Sequence, residues 1–360
     1  MTIHFPGKPL KRQQPATIQN VAERAGVSIS TVSRSFSRPD LVAANTRKRV
    51  LQVAKDLDFS VARSSGALRS GRSYRIAVLL PGSPATWFLS QIIAGLDSVL
   101  HRNGYDLSFY RIRNAADQEQ FFSDLPTRKN ADAVVVPSFN ISQVGIDRLS
   151  NLGVPIAGIN MQNKAGLTLD SFIKDRATMR EIVDHLIFLG HRDIAYIGFS
   201  PSNSLRFSAM ERLQGFREAC RNAIAPVHTS IMTLDEHDVV DDVLEPERVI
   251  TQILQLPHLP TAICCQQDGI AIPLACRLCQ KGLSIPDTVS ITGFDDSTYA
   301  EPFNLTTAHQ DPEDMANGIG EKLLRLLNGR TVDTPFEEFP SPLVIRTSTA
   351  RPRQSEPLIP

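Results

Sequence analysis

The sequence predicts a small all-helical head followed by an α/β body of two parallel-sheet lobes. Three observations carry that expectation. Residues Thr17 to Arg34 place apolar side chains at helical spacing on either side of Gly26. From Tyr74 onward the period changes to short, continuously apolar runs that alternate with amphipathic helical stretches, the pattern of parallel strands covered on both faces. The formal net charge of zero is also unevenly divided. Residues 1–75 carry 14 Lys and Arg against 4 Asp and Glu, a net of +10, and the remainder carry 24 against 34, a net of −10.

In the head, the Thr17 hydroxyl is placed to cap a first helix by accepting from an orphan backbone N–H. Val21, Ala22 and Ala25 share one face of that helix. Gly26 suits a left-handed turn because it lacks a Cβ. Ser28 caps a second helix, whose Val32 turns inward while Ile29, Ser30 and Arg34 stay outside near its start. Two short helices around a tight turn, on a basic segment, are the geometry that enters the major groove of DNA. A third helix runs from Thr46 to about Phe59, with Val50, Leu51, Val53, Ala54 and Leu57 as its apolar side. The organisation expected is a basic tail (1–15), the helix-turn-helix head (16–61), a short polar hinge (62–73), the body (74–349) and a tail (350–360).

In the body, strands are expected at Arg75 to Leu80, Tyr105 to Tyr110, Ala133 to Val136, Pro155 to Ile159, Ile194 to Gly198, Ala262 to Cys265 and Val289 to Gly293. Helices are expected at Trp87 to Arg102, Ala177 to Leu189, Ala209 to Arg221, Asp268 to Lys281 and Pro312 to Leu327. Ligands of such open sheets bind beyond the carboxyl ends of the strands.

Several function classes are disfavoured. No stretch is long or apolar enough to span a membrane, and no apolar signal core follows the N-terminal basic residues. The cytoplasm is therefore expected. Five cysteines form no disulfide framework, and Cys276 and Cys279 read as structural thiols at i, i+3 on a helix. There is no phosphate-cradling glycine loop, nucleophile elbow or metal-ligand cluster, so neither an enzyme nor a cofactor is expected. His191 reads as a structural connector in a Gly-His-Arg turn.

This order of parts resembles the lactose-repressor family of bacterial transcription regulators. The resemblance rests on Val21-Ala22, Ala25-Gly26-Val27-Ser28, Thr31-Val32-Ser33-Arg34 and Thr46-Arg47. It continues through Leu189-Gly190-His191-Arg192-Asp193-Ile194-Ala195, Gly293-Phe294-Asp295-Asp296, Leu305-Thr306-Thr307, and Arg346 with Ser348-Thr349. It implies a body like a periplasmic sugar-binding protein, with a ligand in the cleft between the lobes. One lobe is expected to hold about 74–172 and 303–335, and the other the intervening segment and the final strand. The resemblance also implies a homodimer on near-palindromic operator DNA, controlled by a small-molecule effector.

Roles follow residue by residue. Arg34 pairs bidentately with guanine. Ile29 and Ser30 occupy the motif's variable specificity positions, and Thr31 and Ser33 contact phosphates. Asn20 stands where the family commonly has Asp. Leu68 matches a hinge leucine that wedges into the minor groove. Val61-Ala62 replaces the usual Pro-Asn before the hinge, and Gly66 is a weak helix former. In the cleft, Asp295 accepts sugar hydroxyls, Arg212 binds ligand oxygens, and Asp175 is a third polar position. Gln267 stands where Asn is usual, and Phe88, beside Trp87, lines the first strand–helix loop. A sugar or sugar acid is the default effector, with a purine or other small metabolite left open.

Overall fold

The computed structural model describes residues 16–353 apart from Arg38, Asp58, 60–71, 82–83, Lys129, Asn140, 162–165, 200–206, 236–237 and 241–242. Leu68, Gly66, Val61-Ala62, most of the expected hinge, the tail 1–15 and residues 354–360 lie outside the described residues. The chain divides into two compact units, 1–73 and 74–360.

The first unit contains α1 (Ile18–Ala25), α2 (Ile29–Ser37) and α3 (Ala44–Asp56). Its core is Val21, Ala22, Ala25, Val32, Val50 and Ala54. Thr17 and Asn20 form a reciprocal capping box at the start of α1. The Thr17 N–H donates to Asn20 Oδ1 at 2.8 Å, and the Asn20 N–H donates to Thr17 Oγ1 at 3.3 Å. The Asn20 position, read from sequence only as a missing charge, thus has a local structural task. Gly26 ends α1 at φ +64°, and a Cβ there would meet nothing within 4 Å, so the requirement is purely conformational.

In the second unit the elements, in chain order, are β1 (Arg75–Leu80), α4 (Trp87–Leu100), β2 (Asp106–Arg111), α5 (Ala115–Arg128), β3 (Ala133–Pro137), α6 (Gln143–Asn151), β4 (Ile156–Ile159) and β5 (Leu169–Phe172). The chain then passes through α7 (Asp175–Leu189), β6 (Asp193–Phe199), α8 (Phe207–Asn222), β7 (His228–Leu234), β8 (Val239–Val240), β9 (Val243–Leu244), α9 (Glu247–Leu254), β10 (Ala262–Cys265), α10 (Asp268–Gln280) and β11 (Ser290–Thr292). It closes with β12 (Thr307–Ala308), α11 (Pro312–Leu327), β13 (Phe336–Glu338) and β14 (Leu343–Val344).

Two parallel sheets result, one per lobe, ordered β13-β5-β4-β3-β1-β2 and β11-β10-β6-β7. Strands such as β1 and β3 are buried along nearly their whole length, as helices on both faces require. One apolar cluster joins the lobes: Ile76, Val78 and Leu96 from the first, Met179, Ile182 and Phe216 from the second, with Ile173 and Phe294 among them.

The chain crosses between lobes at 173–174, around 309–311 and at 339–342. The expected lobe limits shift as a result. Phe303 and Leu305 belong to the second lobe's core, so the return crosses after β12 rather than at 303. After that crossing α11 packs on α4, where a Cβ at Gly95 would run into the Glu313 carbonyl and Ala316. The first lobe extends to β13, which pairs with β5 at the sheet edge. The final strand β14 pairs antiparallel with β12 at the crossing.

Motifs far apart in sequence meet here. The Arg346 guanidinium reaches Asp296 at 2.7 Å and the Leu305 carbonyl at 2.8 Å. The Ser348 hydroxyl donates to the Ile291 carbonyl at 2.7 Å and accepts from the Thr306 N–H at 2.8 Å. His191 bonds through its two ring nitrogens to the Thr261 hydroxyl and the Ala350 carbonyl, each at 2.9 Å, and burial holds its pKa below the usual imidazole value. A neutral ring in that place is a connector, as expected. Cys220, Cys264 and Cys265 are buried, but Cys276 and Cys279 are exposed on α10. Read from sequence as structural thiols, they lie outside the buried stripe of that helix, which runs through Ile270, Ala271, Leu274, Ala275 and Leu278.

Gly26→Ala places a Cβ in a left-handed conformation and costs about 1 kcal/mol. Hydrogen exchange of the α1 amides in the full chain should speed up by roughly fivefold. Unchanged exchange would show that the turn relaxes without strain.

Candidate functional site: a recognition face and a buried ion cluster

On the head, α2 carries the polar outer face. Ser28 holds its first turn, with its hydroxyl accepting from the Thr31 N–H at 3.2 Å. That hydroxyl also lies 2.8 Å from Ser30 Oγ and 2.9 Å from Thr31 Oγ1. Arg34 lies back along the helix. Its Nε donates to the Ser30 carbonyl at 3.2 Å and its Nη2 to the Ser30 hydroxyl at 3.4 Å. Ile29 is 45 % exposed, an apolar side chain left in water beside these groups. Thr31 and Ser33 are half-buried on the same helix. Arg47 Nε donates to the Ser35 carbonyl at 3.4 Å, tying α3 to the end of α2. Ile29, Ser30 and Arg34 thus share one exposed face, as their spacing predicts.

In the body, three of the five sequence-derived cleft residues come together. Asp175 opens α7, Arg212 lies on α8, and Asp295 follows β11. Arg212 Nε donates to Asp175 Oδ1 at 2.7 Å, and its Nη1 to the Gln266 carbonyl at 2.9 Å and to Asp295 Oδ1 at 3.4 Å. The guanidinium carbon sits 3.6 Å from the centre of the Phe294 ring, a cation–π arrangement. All three charged residues are buried. Asn160 Nδ2 donates to Asp175 Oδ2 at 2.9 Å, and Gln310 Nε2 donates to Asp295 Oδ1 at 2.6 Å. Gln310 Oε1 is buried and has no hydrogen-bond partner among the described residues. Ser138 of the first lobe and Ser208 of α8 lie 2.6 Å apart through their hydroxyls.

The electrostatics follow from burial. Burial raises the pKa of Asp175 even though Arg212 attracts its charge. Burial opposes the charge of Arg212 too, but the two carboxylates outweigh that and keep it cationic. Asp295 is pushed up to about 8, first by burial and then by the charge of Asp268, against the pull of Arg212. Asp268, bonded to the Thr307 hydroxyl and the Ser297 N–H at 2.7 Å each, is raised to about 6, again mainly by burial. Asp295 and Asp296 also adopt positive φ, +131° and +52°, unusual for residues with a Cβ. The backbone is held there by the Asp295 N–H donating to the Ala308 carbonyl at 2.8 Å.

Gln267 and Phe88 are not part of the bonded cluster. Gln267 is the half-buried residue preceding α10, and Phe88 is half-buried against the shared apolar core. Gln266, one position earlier, meets Arg212 through its main-chain carbonyl. Sequence reasoning missed it, along with Asn160, Phe294 and Gln310. A signal existed for one of them: Asn160 ends an apolar strand at its carboxyl end, where sites of open sheets form. Gln310 had no such signal, since only the return crossing brings it to Asp295. Among the described residues, no group of three or more His, Cys, Asp or Glu could hold a metal ion. None of the described helices is long and apolar enough to cross a membrane.

A helix-turn-helix head followed by a body of two parallel-sheet lobes defines a class of DNA-binding transcription regulator. Comparison with known proteins agrees. Residues 17–61 match the lacI family of bacterial regulatory proteins, and residues 183–349 match a periplasmic binding protein-like domain. The HTH-type transcriptional repressor PurR of Proteus mirabilis is 30 % identical over 343 residues, covering 93 % of this chain and 97 % of that protein. The PurR of Yersinia enterocolitica is 29 % identical over 342 residues, covering 93 % and 97 %. Among solved structures, a Lac repressor dimer bound to operator and the anti-inducer ONPF is 25 % identical, with TM-score 0.78, covering 94 % of this chain and all of that one. A lacI-family regulator from Silicibacter pomeroyi shares the fold at 21 % identity, with TM-score 0.78 and coverage of 94 % and 100 %. The chain belongs to the lacI family of bacterial transcription regulators, and it is a regulator rather than an enzyme.

The Asp295 shift has a pH signature. A carboxyl raised in the folded state holds a proton that the unfolded chain has released above about pH 4. Its contribution to stability is therefore fully present below that pH and is lost as pH rises through about 8. Asp295→Asn should melt with wild type near pH 4 and increasingly above it from pH 5 to 9. Parallel pH profiles for the two proteins would show that Asp295 is not the titrating group.

Proposed function

We propose that the chain represses transcription as a homodimer on a near-palindromic operator, released or tightened by a neutral sugar or sugar derivative bound between the lobes. In the head, Arg34 reads a guanine through O6 and N7, Ile29 packs on a thymine methyl, and Thr31 and Ser33 meet phosphates. The net +10 of residues 1–75 supplies the phosphate attraction, while the acidic remainder is repelled by the duplex.

The observation that carries the effector half is the place of Arg212. It ion-pairs with carboxylates beside two of the three lobe crossings: Asp175 just after the first, and Asp295, which is bonded to Gln310 in the second. Ligand hydroxyls that engage Asp295 and Arg212 rearrange the bonds holding those crossings. The effector then shifts the lobe equilibrium by its differential affinity for the two arrangements. A neutral polyol fits better than a sugar acid, because the Arg212 guanidinium is already engaged by Asp175, Asp295 and the Gln266 main-chain carbonyl. Phe88 and Gln267 complete the ligand's surroundings in this reading.

Selection from a random duplex pool at near-physiological salt tests the DNA half and should enrich a palindrome. Arg34→Ala should then weaken binding to the selected duplex by roughly 5- to 150-fold, the equivalent of about 1–3 kcal/mol. Calorimetric titration with neutral sugars and sugar acids tests the effector half. Binding of acids alone, or of any ligand that leaves operator affinity unchanged, would overturn it. Arg212→Met, which strands two buried carboxylates, should destabilise the body by about 3–5 kcal/mol in urea unfolding.

A further inference from the structure

Ser30 lies on the recognition face, where a direct base contact is the simplest role. Its bonds suggest a different one. The Arg34 side chain points back toward the start of α2, as helical side chains do, and so passes over the residue four positions earlier. There the Nε–H meets the Ser30 carbonyl and an Nη2–H meets the Ser30 hydroxyl, at 3.2 and 3.4 Å. These two donors form one lateral edge of the guanidinium. Ser30 uses neither Nη1 proton nor the second Nη2 proton; that Nη2 proton and one Nη1 proton form the terminal edge. A guanine needs two donors in one plane, and that terminal pair supplies them. The Ser30 hydroxyl is itself set by Ser28 Oγ at 2.8 Å, and Ser28 is fixed by capping Thr31.

We propose that Ser30 is a positioning residue for Arg34, holding the lateral edge of the guanidinium so that its terminal edge is presented to a base, and is not itself a base reader. This rests on the DNA-recognition reading above. A flexible arginine must lose its freedom on binding, and a side chain already held in place loses less. Of the two anchors, the carbonyl is present whatever residue stands at 30, and only the hydroxyl depends on serine. Removing it weakens the hold without abolishing it. Ala is also the best helix former, so Ser30→Ala keeps α2 folded.

The experiment uses the full chain and the duplex that wild type selects from a random pool. Affinities for that duplex, and for duplexes substituted at each base pair in turn, are measured for wild type, Ser30→Ala, Ser30→Thr, Arg34→Ala and the double variant Ser30→Ala/Arg34→Ala. Ser30→Ala should lower discrimination at the base pair that Arg34→Ala also affects, by roughly 3- to 10-fold. Ser30→Thr, which keeps a hydroxyl, should restore it. In the Arg34→Ala background the serine change should have no further effect, and the salt dependence should stay at the wild-type slope because no phosphate contact is lost. Loss of preference at a different base pair would make Ser30 a reader in its own right and overturn the proposal. Unchanged discrimination would also overturn it. If wild type selects no sequence at all, the DNA-recognition reading fails, and the role of Ser30 with it.

Discussion

One buried guanidinium organises the body. Arg212 cannot be deprotonated in a protein, so its burial requires opposite charge and hydrogen-bond acceptors around it. Asp175, Asp295 and the Gln266 carbonyl provide them, and the face of Phe294 closes one side. Those partners arrive on different elements. Asp175 begins the first helix after a lobe crossing, and Asp295 sits in a backbone loop of positive φ held against β12. The same cluster therefore fixes where two segments leave one lobe for the other. Burial is the main reason that Asp295 and Asp268 resist ionisation; at Asp295 it acts with repulsion from Asp268 and Asp175 against the pull of Arg212, and at Asp268 with repulsion from Asp296.

The head rests on different physics. Its core is small, six buried residues in the described part, so local devices matter more than in the body. The Thr17–Asn20 box, the Ser28 cap and the left-handed Gly26 each satisfy or redirect backbone groups at a helix end. Gly26 and the Ser28 cap lie in the turn between α1 and α2 and lead into the face that carries Ile29, Ser30 and Arg34. In the body, by contrast, motifs act over long sequence separations. Arg346 serves Asp296 and Leu305, Ser348 serves Ile291 and Thr306, and His191 ties Thr261 to Ala350. Several of the residues that mark the family are thus fasteners of the fold rather than ligand contacts.

Legibility from sequence tracked the range of the interactions. Helix α11 was readable to the residue because Asp311 caps it and Pro312 opens it. The apolar runs of β1, β3 and β10 announced buried parallel strands. Strand β5 did not, because Asp170 and Ser171 interrupt its apolar pattern, yet both are buried between neighbouring strands. Strand β7 was missed for a related reason: as an edge strand it is half exposed and reads as polar. Asp175, Arg212 and Asp295 were found through the family resemblance. Gln266 was not, because it meets Arg212 through its main-chain carbonyl, which no side-chain pattern marks.

The sequence alone determined the class of architecture and the exposed face that carries Ile29, Ser30 and Arg34, since period, capping chemistry and charge are local properties written into short windows; three members of the ion cluster came only through the family resemblance. The tertiary structure decided the rest. It brought the Gln266 main-chain carbonyl to Arg212 and Gln310 to Asp295, it moved the return crossing past Leu305, and it left Cys276 and Cys279 in water. Each of those depends on how distant segments pack against one another, and no short window of sequence contains that information.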